Sequence, residues 1–261
     1  MINELKKKKL FLLDMDGTLY LGDNLFPETL PFLQEVKRNG GKYAFLTNNS
    51  SKSAVSYIDK LNRLGIEAEL FDFVTSVNAT VNYLLENHPT DRIYVMGTES
   101  FLSELRLGGL NVTTEYSEDI DVFVASYDTE LTYQKLVDAC RILDRGAVFI
   151  ATNPDWLCPT ADGYIPDCGS FCDMLKRATG REPLFIGKPE PAMPLFALKK
   201  FGFEKEEAVI VGDRLYTDIA CGVNAGIDTV FVLSGEGTLK DIEEMGIEPT
   251  YICKNVGEIF Q

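Results

Sequence analysis

At 261 residues the chain is long enough for one large domain or two modest ones. With 45% apolar and 25% charged residues it has the composition of a globular protein with a sizeable core. A net charge of −15 argues against a general nucleic-acid binder, which needs a basic face to neutralise phosphates, and against docking on anionic membrane.

The first feature in the chain is Lys6 to Lys9, read as a solvated lead-in to the first strand. The apolar stretch after it, Leu10 to Leu13, is shorter than the core of a signal peptide, and no run approaches the ~18 apolar residues of a membrane span. A cytoplasmic location is expected. Short apolar runs then recur at Tyr43–Leu46, Phe71–Val74, Ile93–Met96, Val122–Ala125, Val148–Ala151, Ala208–Val211 and Thr229–Leu233. Continuous runs of this length fit strands buried on both faces, as in parallel sheets. Segments with helical spacing lie between them. Thr29–Arg38 stops at Gly40-Gly41, Lys52–Leu64 at Gly65, Tyr133–Leu143 near Gly146 and Ser170–Ala178 at Gly180. Strands alternating with helices predict an α/β fold with right-handed crossovers. The Pro-, Gly- and Asp-rich stretch from Trp156 to Ser170 reads as loop, and the lone tryptophan as a packing residue rather than a stacking platform.

The six cysteines are irregularly spaced and read as reduced, mostly buried thiols. Cys158, Cys168 and Cys172 form a local cluster, but the single histidine, His88, is far away and precedes a proline at a helix end, where a surface position is expected. Chemistry built on a Ser-His or Cys-His pair is therefore not expected.

Ligands of open α/β sheets sit at the C-terminal ends of the strands, so the residues after each apolar run carry the information. In "FLLDMDGTLY" a buried-looking strand ends in Asp14 and Asp16, followed by Gly17 and Thr18. Burying like charges together is costly unless something positive joins them. After Leu46 come Thr47 and Asn48. Lys188-Pro189 comes after Ile186-Gly187, ahead of the two expected final strands. Gly212, Asp213 and Arg214 come after Val211, with Asp218 close behind. Gathered on one rim, the carboxylates with hydroxyl and carbonyl oxygens make a hard-cation site best matched by Mg²⁺. That cation and Lys188 offset the charge of the two aspartates. Asp14 and Asp16 are two apart and point to the same side of extended backbone, so one can attack while the other moves protons. Gly17 permits a tight turn that leaves backbone N–H groups facing an anion. Thr47 and Asn48 can donate to phosphate oxygens, and Lys188 supplies fixed positive charge.

The conjunction of "DMDGT", "LTNNS", "GKPEPAM" and "GDRLYTD" resembles the four motifs of the haloacid dehalogenase superfamily of phosphohydrolases. The insert with "FIATNPDW" and "GSF" resembles the α/β cap of its NagD-like, p-nitrophenyl phosphatase-like branch. The resemblance implies a Rossmann-like doubly wound parallel core over residues 1–78 and 182–261, with an α/β cap over 79–181. It implies that Asp14 attacks phosphorus to form an aspartyl-phosphate and that Asp16 is the acid and base. Mg²⁺ would be held by the Asp14 carboxylate, the Asp16 backbone carbonyl and Asp213. Thr47, Asn48 and Lys188 would hold the phosphoryl group. Asp218 either meets the metal through water or orients Lys188. Arg214 meets substrate or cap, or pairs with an acidic neighbour. The expected partner is a small phosphorylated metabolite (a sugar, nucleotide or glycolate-type phosphate), and caps of this kind often mediate homodimers. Two other readings stay open at this stage: a phosphotransferase or mutase using the same aspartyl-phosphate, and a non-catalytic phosphometabolite-binding protein.

Overall fold

A computed structural model describes residues 2–50, 54–160 and 163–261. The chain forms two compact units. The first comprises Met1–Thr47, Ala54–Val74 and Lys188–Gln261, and the second Asn48–Ser53 and Thr75–Gly187. Among the described residues no helix is long and apolar enough to cross a membrane.

The first unit is built on a six-stranded sheet in the order Tyr251–Cys253, Asp228–Val232, Ala208–Gly212, Leu10–Leu13, Lys42–Thr47, Phe73–Thr75. Numbered along the chain, this is 3-2-1-4-5-6 read from the opposite edge, the doubly wound order that leaves a crevice where the winding reverses. The reversal falls between Leu10–Leu13 and Ala208–Gly212, which pair in parallel from Leu10 opposite Ala208 to Leu13 opposite Val211. All four residues of the first strand and all five of its neighbour are buried, as expected of central strands covered on both faces. Helix Thr29–Arg38 lays Phe32, Leu33 and Val36 on the sheet at helical spacing. The rings of Phe11, Phe32 and Phe260 meet with centroids 5.7 to 5.9 Å apart, which ties the C-terminus to the first strand.

The second unit has a five-stranded sheet in the order Leu184–Phe185, Val148–Ala151, Val122–Ala125, Ile93–Met96, Val112–Thr113, all parallel. Helices Ser76–Asn87, Glu99–Leu107, Tyr133–Asp144 and Cys168–Thr179 complete it. Side chains cap each start: Thr75, Thr98, Thr132 and Asp167 accept from the first-turn amides.

The strands at Leu10–Leu13, Ile93–Met96, Val122–Ala125 and Val148–Ala151 run as the apolar pattern predicts, and the α/β parallel fold is as expected. Other readings need correction. Phe71 is not in a strand. Glu69 and Asp72 cap one another's backbone, so Leu70–Asp72 turns as a 3₁₀ helix with Leu70 and Phe71 exposed before the strand starts at Phe73. The stretch expected as loop holds an antiparallel hairpin, Leu157–Thr160 with Gly163–Pro166, and the start of helix Cys168–Thr179. Its prolines are tolerated because a two-stranded ribbon has two free edges. Residues 161–162 of that stretch, and Lys52 and Ser53 of the expected helix now seen over Ala54–Arg63, lie outside the described residues. The short strands Val112–Thr113, Leu184–Phe185 and Tyr251–Cys253 have no counterpart among the predicted runs, so three strands rather than two come after Lys188 in the first unit.

Individual residues depart from expectation too. Trp156 is 60% exposed, so it does not serve as a packing residue. Lys8 is buried rather than solvated, donating to the Glu206 carbonyl at 2.7 Å and pairing with Asp228 at 2.7 Å. His88 caps the end of Ser76–Asn87 and pairs with Asp91 at 2.8 Å, half-buried rather than fully solvated.

Candidate active site

The site lies at the C-terminal ends of the two strands that flank the winding reversal. Asp14 leaves the first strand with its amide still donating to the Val211 carbonyl at 2.9 Å. Asp213 leaves the neighbouring strand directly after Gly212. A π-helical turn, Leu215–Ile219, then brings Asp218 back toward the same point. Gly212 makes that return possible, because a Cβ there would overlap the Asp218 side chain. Carboxylate oxygens of Asp14, Asp213 and Asp218 all lie within 4.8 Å of one another.

Lys188 joins this cluster. Its Nζ donates to Asp14 Oδ1 at 2.7 Å and to Asp218 Oδ1 at 2.6 Å, with the Leu46 carbonyl at 3.5 Å. The remaining Asp218 oxygen accepts from the Arg214 amide at 3.1 Å. Asp218 thus touches Lys188 directly, the contact that the orienting alternative requires, while it also belongs to the carboxylate cluster. Burial draws the Lys188 ammonium down, but Asp14 and Asp218 outweigh it and hold the group above the usual lysine range. Burial also pushes Asp14 up to about 7, helped by Asp218 and opposed by Lys188. Asp213 is raised by burial and by Asp218. Three close carboxylates against one ammonium leave an excess of negative charge. An all-oxygen donor set with that excess fits a hard divalent cation.

Asp213 is gripped on both oxygens. Thr18 Oγ1 donates to Oδ1 at 3.1 Å and the Glu236 amide to Oδ2 at 2.8 Å. Gly17, with φ +87°, and Gly235 both pack so closely that a Cβ on either would collide with the Asp213 carboxylate. Ser234 Oγ donates to the Gly17 carbonyl at 2.8 Å, and the Gly237 amide to the Asp213 carbonyl at 3.0 Å. The loop Ser234–Gly237 is therefore part of the site, although no sequence motif marked it. Its one signal is position: it comes directly after the apolar run Thr229–Leu233, at a strand end like those that carry Asp14 and Asp213.

The other expected residues occupy varied positions. Thr47 ends the strand beside Asp14 and is buried. The Asp16 side chain leaves the carboxylate cluster, is 54% exposed and lies 3.8 Å from Lys60 Nζ. The Gly17 amide does not face an anion, because it donates to the Tyr20 carbonyl at 2.7 Å, closing the turn. Arg214 pairs with Glu236 at 2.9 Å, the acidic-neighbour alternative; burial disfavours its charge, but Tyr216, Glu236, Asp14 and Asp218 outweigh burial and hold the guanidinium above the usual arginine range. Asn48 belongs to the second unit, where its Nδ2 donates to Asp155 at 2.8 Å and its carbonyl accepts from Ser76 at 2.7 Å.

Comparison with known proteins places the chain in a family. Residues 11–111 match the model of the haloacid dehalogenase-like hydrolase family, and residues 185–259 a second model described as HAD-hydrolase-like. The chain is 35% identical to an acid sugar phosphatase of Staphylococcus aureus over 97% of both chains. Its structure is similar to that of a 4-nitrophenylphosphatase from Thermotoga maritima, with TM-score 0.90, 39% identity and 99% of each chain covered. It is also similar to a double mutant of a thermostable NPPase from Geobacillus stearothermophilus, with TM-score 0.87, 36% identity, and 97% of this chain and 98% of that one covered. The chain belongs to the haloacid dehalogenase-like hydrolases, in their NagD-like, p-nitrophenyl phosphatase-like branch.

Proposed function

We propose that this phosphatase is Mg²⁺-dependent and hydrolyses small phosphate monoesters, sugar phosphates foremost, through an aspartyl-phosphate on Asp14. The observation that carries the reading is Lys188 bridging Asp14 and Asp218 beside Asp213 at the winding reversal. A binding-only protein has little use for Asp16 next to such a set. The sugar preference rests on the Staphylococcus aureus relative, which is named an acid sugar phosphatase.

Asp14, Asp213 and the Asp16 backbone carbonyl would hold Mg²⁺, which when bound neutralises charge on the phosphoryl oxygens. The chain's own side chains do the rest. In this reading Asp14 attacks phosphorus, its lysine partner offsetting its charge in a partly buried position. Asp16, more exposed and outside the cluster, gives a proton to the leaving oxygen as the P–O bond breaks. It then takes a proton from the water that attacks the acyl-phosphate, releasing phosphate and restoring Asp14. Lys188, fixed by Asp218, supplies positive charge to the phosphoryl group without reorganising. Thr47 offers a hydroxyl at the adjacent strand end.

The test is release of phosphate from p-nitrophenyl phosphate and a panel of sugar, nucleotide and glycolate-type phosphates, with Mg²⁺ and with EDTA, for wild type and Asp14→Asn. The reading expects metal-dependent turnover that Asp14→Asn abolishes. Full activity in Asp14→Asn, or no turnover of any ester by folded wild type with Mg²⁺, contradicts it.

A further inference from the structure

We propose that Lys60 is a positioning residue for Asp16, holding the acid–base carboxylate where the leaving oxygen departs. The inference deepens the phosphatase reading above and rests on it. Lys60 sits on helix Ala54–Arg63, in the same unit as Asp16. Its Nζ lies 3.8 Å from Asp16 Oδ2 and 4.1 Å from the centroid of the Tyr20 ring. Tyr20 is a rigid platform: the residue is 1% exposed, it bridges to Asp16, and its carbonyl accepts the Gly17 amide at 2.7 Å. The turn that carries Asp16 therefore also carries the ring that fixes Lys60.

The arrangement has a clear electrostatic logic. The Lys60 side chain is only 23% exposed, so its ammonium is partly stripped of water and recovers interaction energy from the ring face and the carboxylate. Asp16 is 54% exposed and stands apart from the ion pairs that join Lys188 to Asp14 and Asp218. Without a cation at its side, a short carboxylate on a surface turn samples several rotamers, and a proton donor that is out of place loses much of its value. A separation of 3.8 Å is an ion pair rather than a tight hydrogen bond, which restrains the carboxylate while leaving its oxygens able to meet substrate and water. In the sequence a helical lysine carries no distinctive spacing; only the fold brings Lys60 to Asp16.

The proposal predicts a leaving-group signature. Loss of p-nitrophenolate needs little proton donation, whereas loss of an alkoxide needs a well-placed acid. Lys60→Met and Lys60→Arg are to be compared with wild type by kcat/KM on p-nitrophenyl phosphate and on glycerol phosphate, with melting temperatures recorded. Because kcat/KM reports the first, phosphorylating step, it is sensitive to the acid whichever step limits turnover. In Lys60→Met, turnover of the alkyl ester is expected to fall about tenfold further than that of the aryl ester, a part of the roughly 10²- to 10⁴-fold that a well-placed general acid supplies. Lys60→Arg, which keeps the charge and stacks on Tyr20, is expected to recover most of the loss. An equal loss on both esters would mark Lys60 as merely structural, and no loss on either would remove it from the site; both overturn the proposal. Failure of the underlying phosphatase reading is distinguishable, because wild type would then turn over neither ester.

Discussion

Lys188 Nζ and Asp218 Oδ1 are 2.6 Å apart in a part of the site where both side chains are almost wholly buried. In the proposed mechanism Asp218 acts through the lysine, while its second oxygen accepts from the Arg214 amide. Asp218→Asn keeps an oxygen for one of these bonds but removes the charge that aims the ammonium. We expect kcat/KM for phosphate esters to fall by about two orders of magnitude, the scale of losing one preorganised electrostatic group, with the protein still folded. Steady-state kinetics with circular dichroism checks this; wild-type kinetics in Asp218→Asn would show that Lys188 needs no such partner.

The glycines around Asp213 make a second prediction. A methyl on Gly235 would drive into the carboxylate, and the Glu236 amide that donates to Asp213 Oδ2 would be displaced with it. Gly235→Ala is expected to lower Mg²⁺ affinity by about tenfold or more, the scale seen when supporting partners of metal ligands are lost. Mg²⁺-dependent stabilisation against heat reads this without any substrate. An unchanged midpoint for Mg²⁺ would mean that the Ser234–Gly237 loop does not support the metal ligand.

The second unit carries a buried acid with an inverted pH effect. Burial pushes Asp167 up to about 6, although bonds from Asn153 and the Cys168 amide pull it back. The folded pKa exceeds the unfolded one, so the folded state binds more protons between about pH 4 and 6. Its contribution to stability is fully present below about pH 4 and is lost as pH rises through about 6, by about 3 kcal/mol at most. Asp167→Asn keeps an oxygen for both donors and removes the titration. Relative to wild type, the variant is expected to gain stability as pH climbs from about 4 to about 7. Urea midpoints across that range decide it, and a difference that does not change with pH would refute the assignment.

The sheet core offers a stability test away from the chemistry. Phe11 is fully buried and meets both Phe32 and Phe260. Phe11→Ala leaves a cavity next to the central strand, with an expected cost of about 3 to 5 kcal/mol in chemical denaturation. A cost below about 1 kcal/mol would mean that the core collapses around the gap.

Legibility of the sequence tracked the physics of each element. Leu10–Leu13 and Ala208–Gly212 were readable because a central parallel strand must be apolar throughout, and Asp14 and Asp213 because charge directly after such a strand is conspicuous. The hairpin at Leu157–Pro166 was not, since its prolines and glycine carry the composition of a loop and its strand register depends on pairing rather than on pattern. Lys8 was hidden within a lysine run, because its partners, the Glu206 carbonyl and the Asp228 carboxylate, lie far along the chain. Lys60 and the Ser234–Gly237 loop were missed because their roles depend on contacts with residues distant in sequence. Asn48 shows the opposite: a residue read from a motif whose amide is engaged by Asp155, a partner no spacing indicates.

The central claim is that Asp14 becomes phosphorylated, and rapid acid quench of a single turnover with ³²P-labelled p-nitrophenyl phosphate and Mg²⁺ tests it most directly. The account predicts transient label on the protein that is labile to hydroxylamine, maps to the peptide containing Asp14, decays at the rate of phosphate release and is absent in Asp14→Asn. Phosphate release at the full wild-type rate with no protein-bound label at any time, or label on another residue, would contradict it.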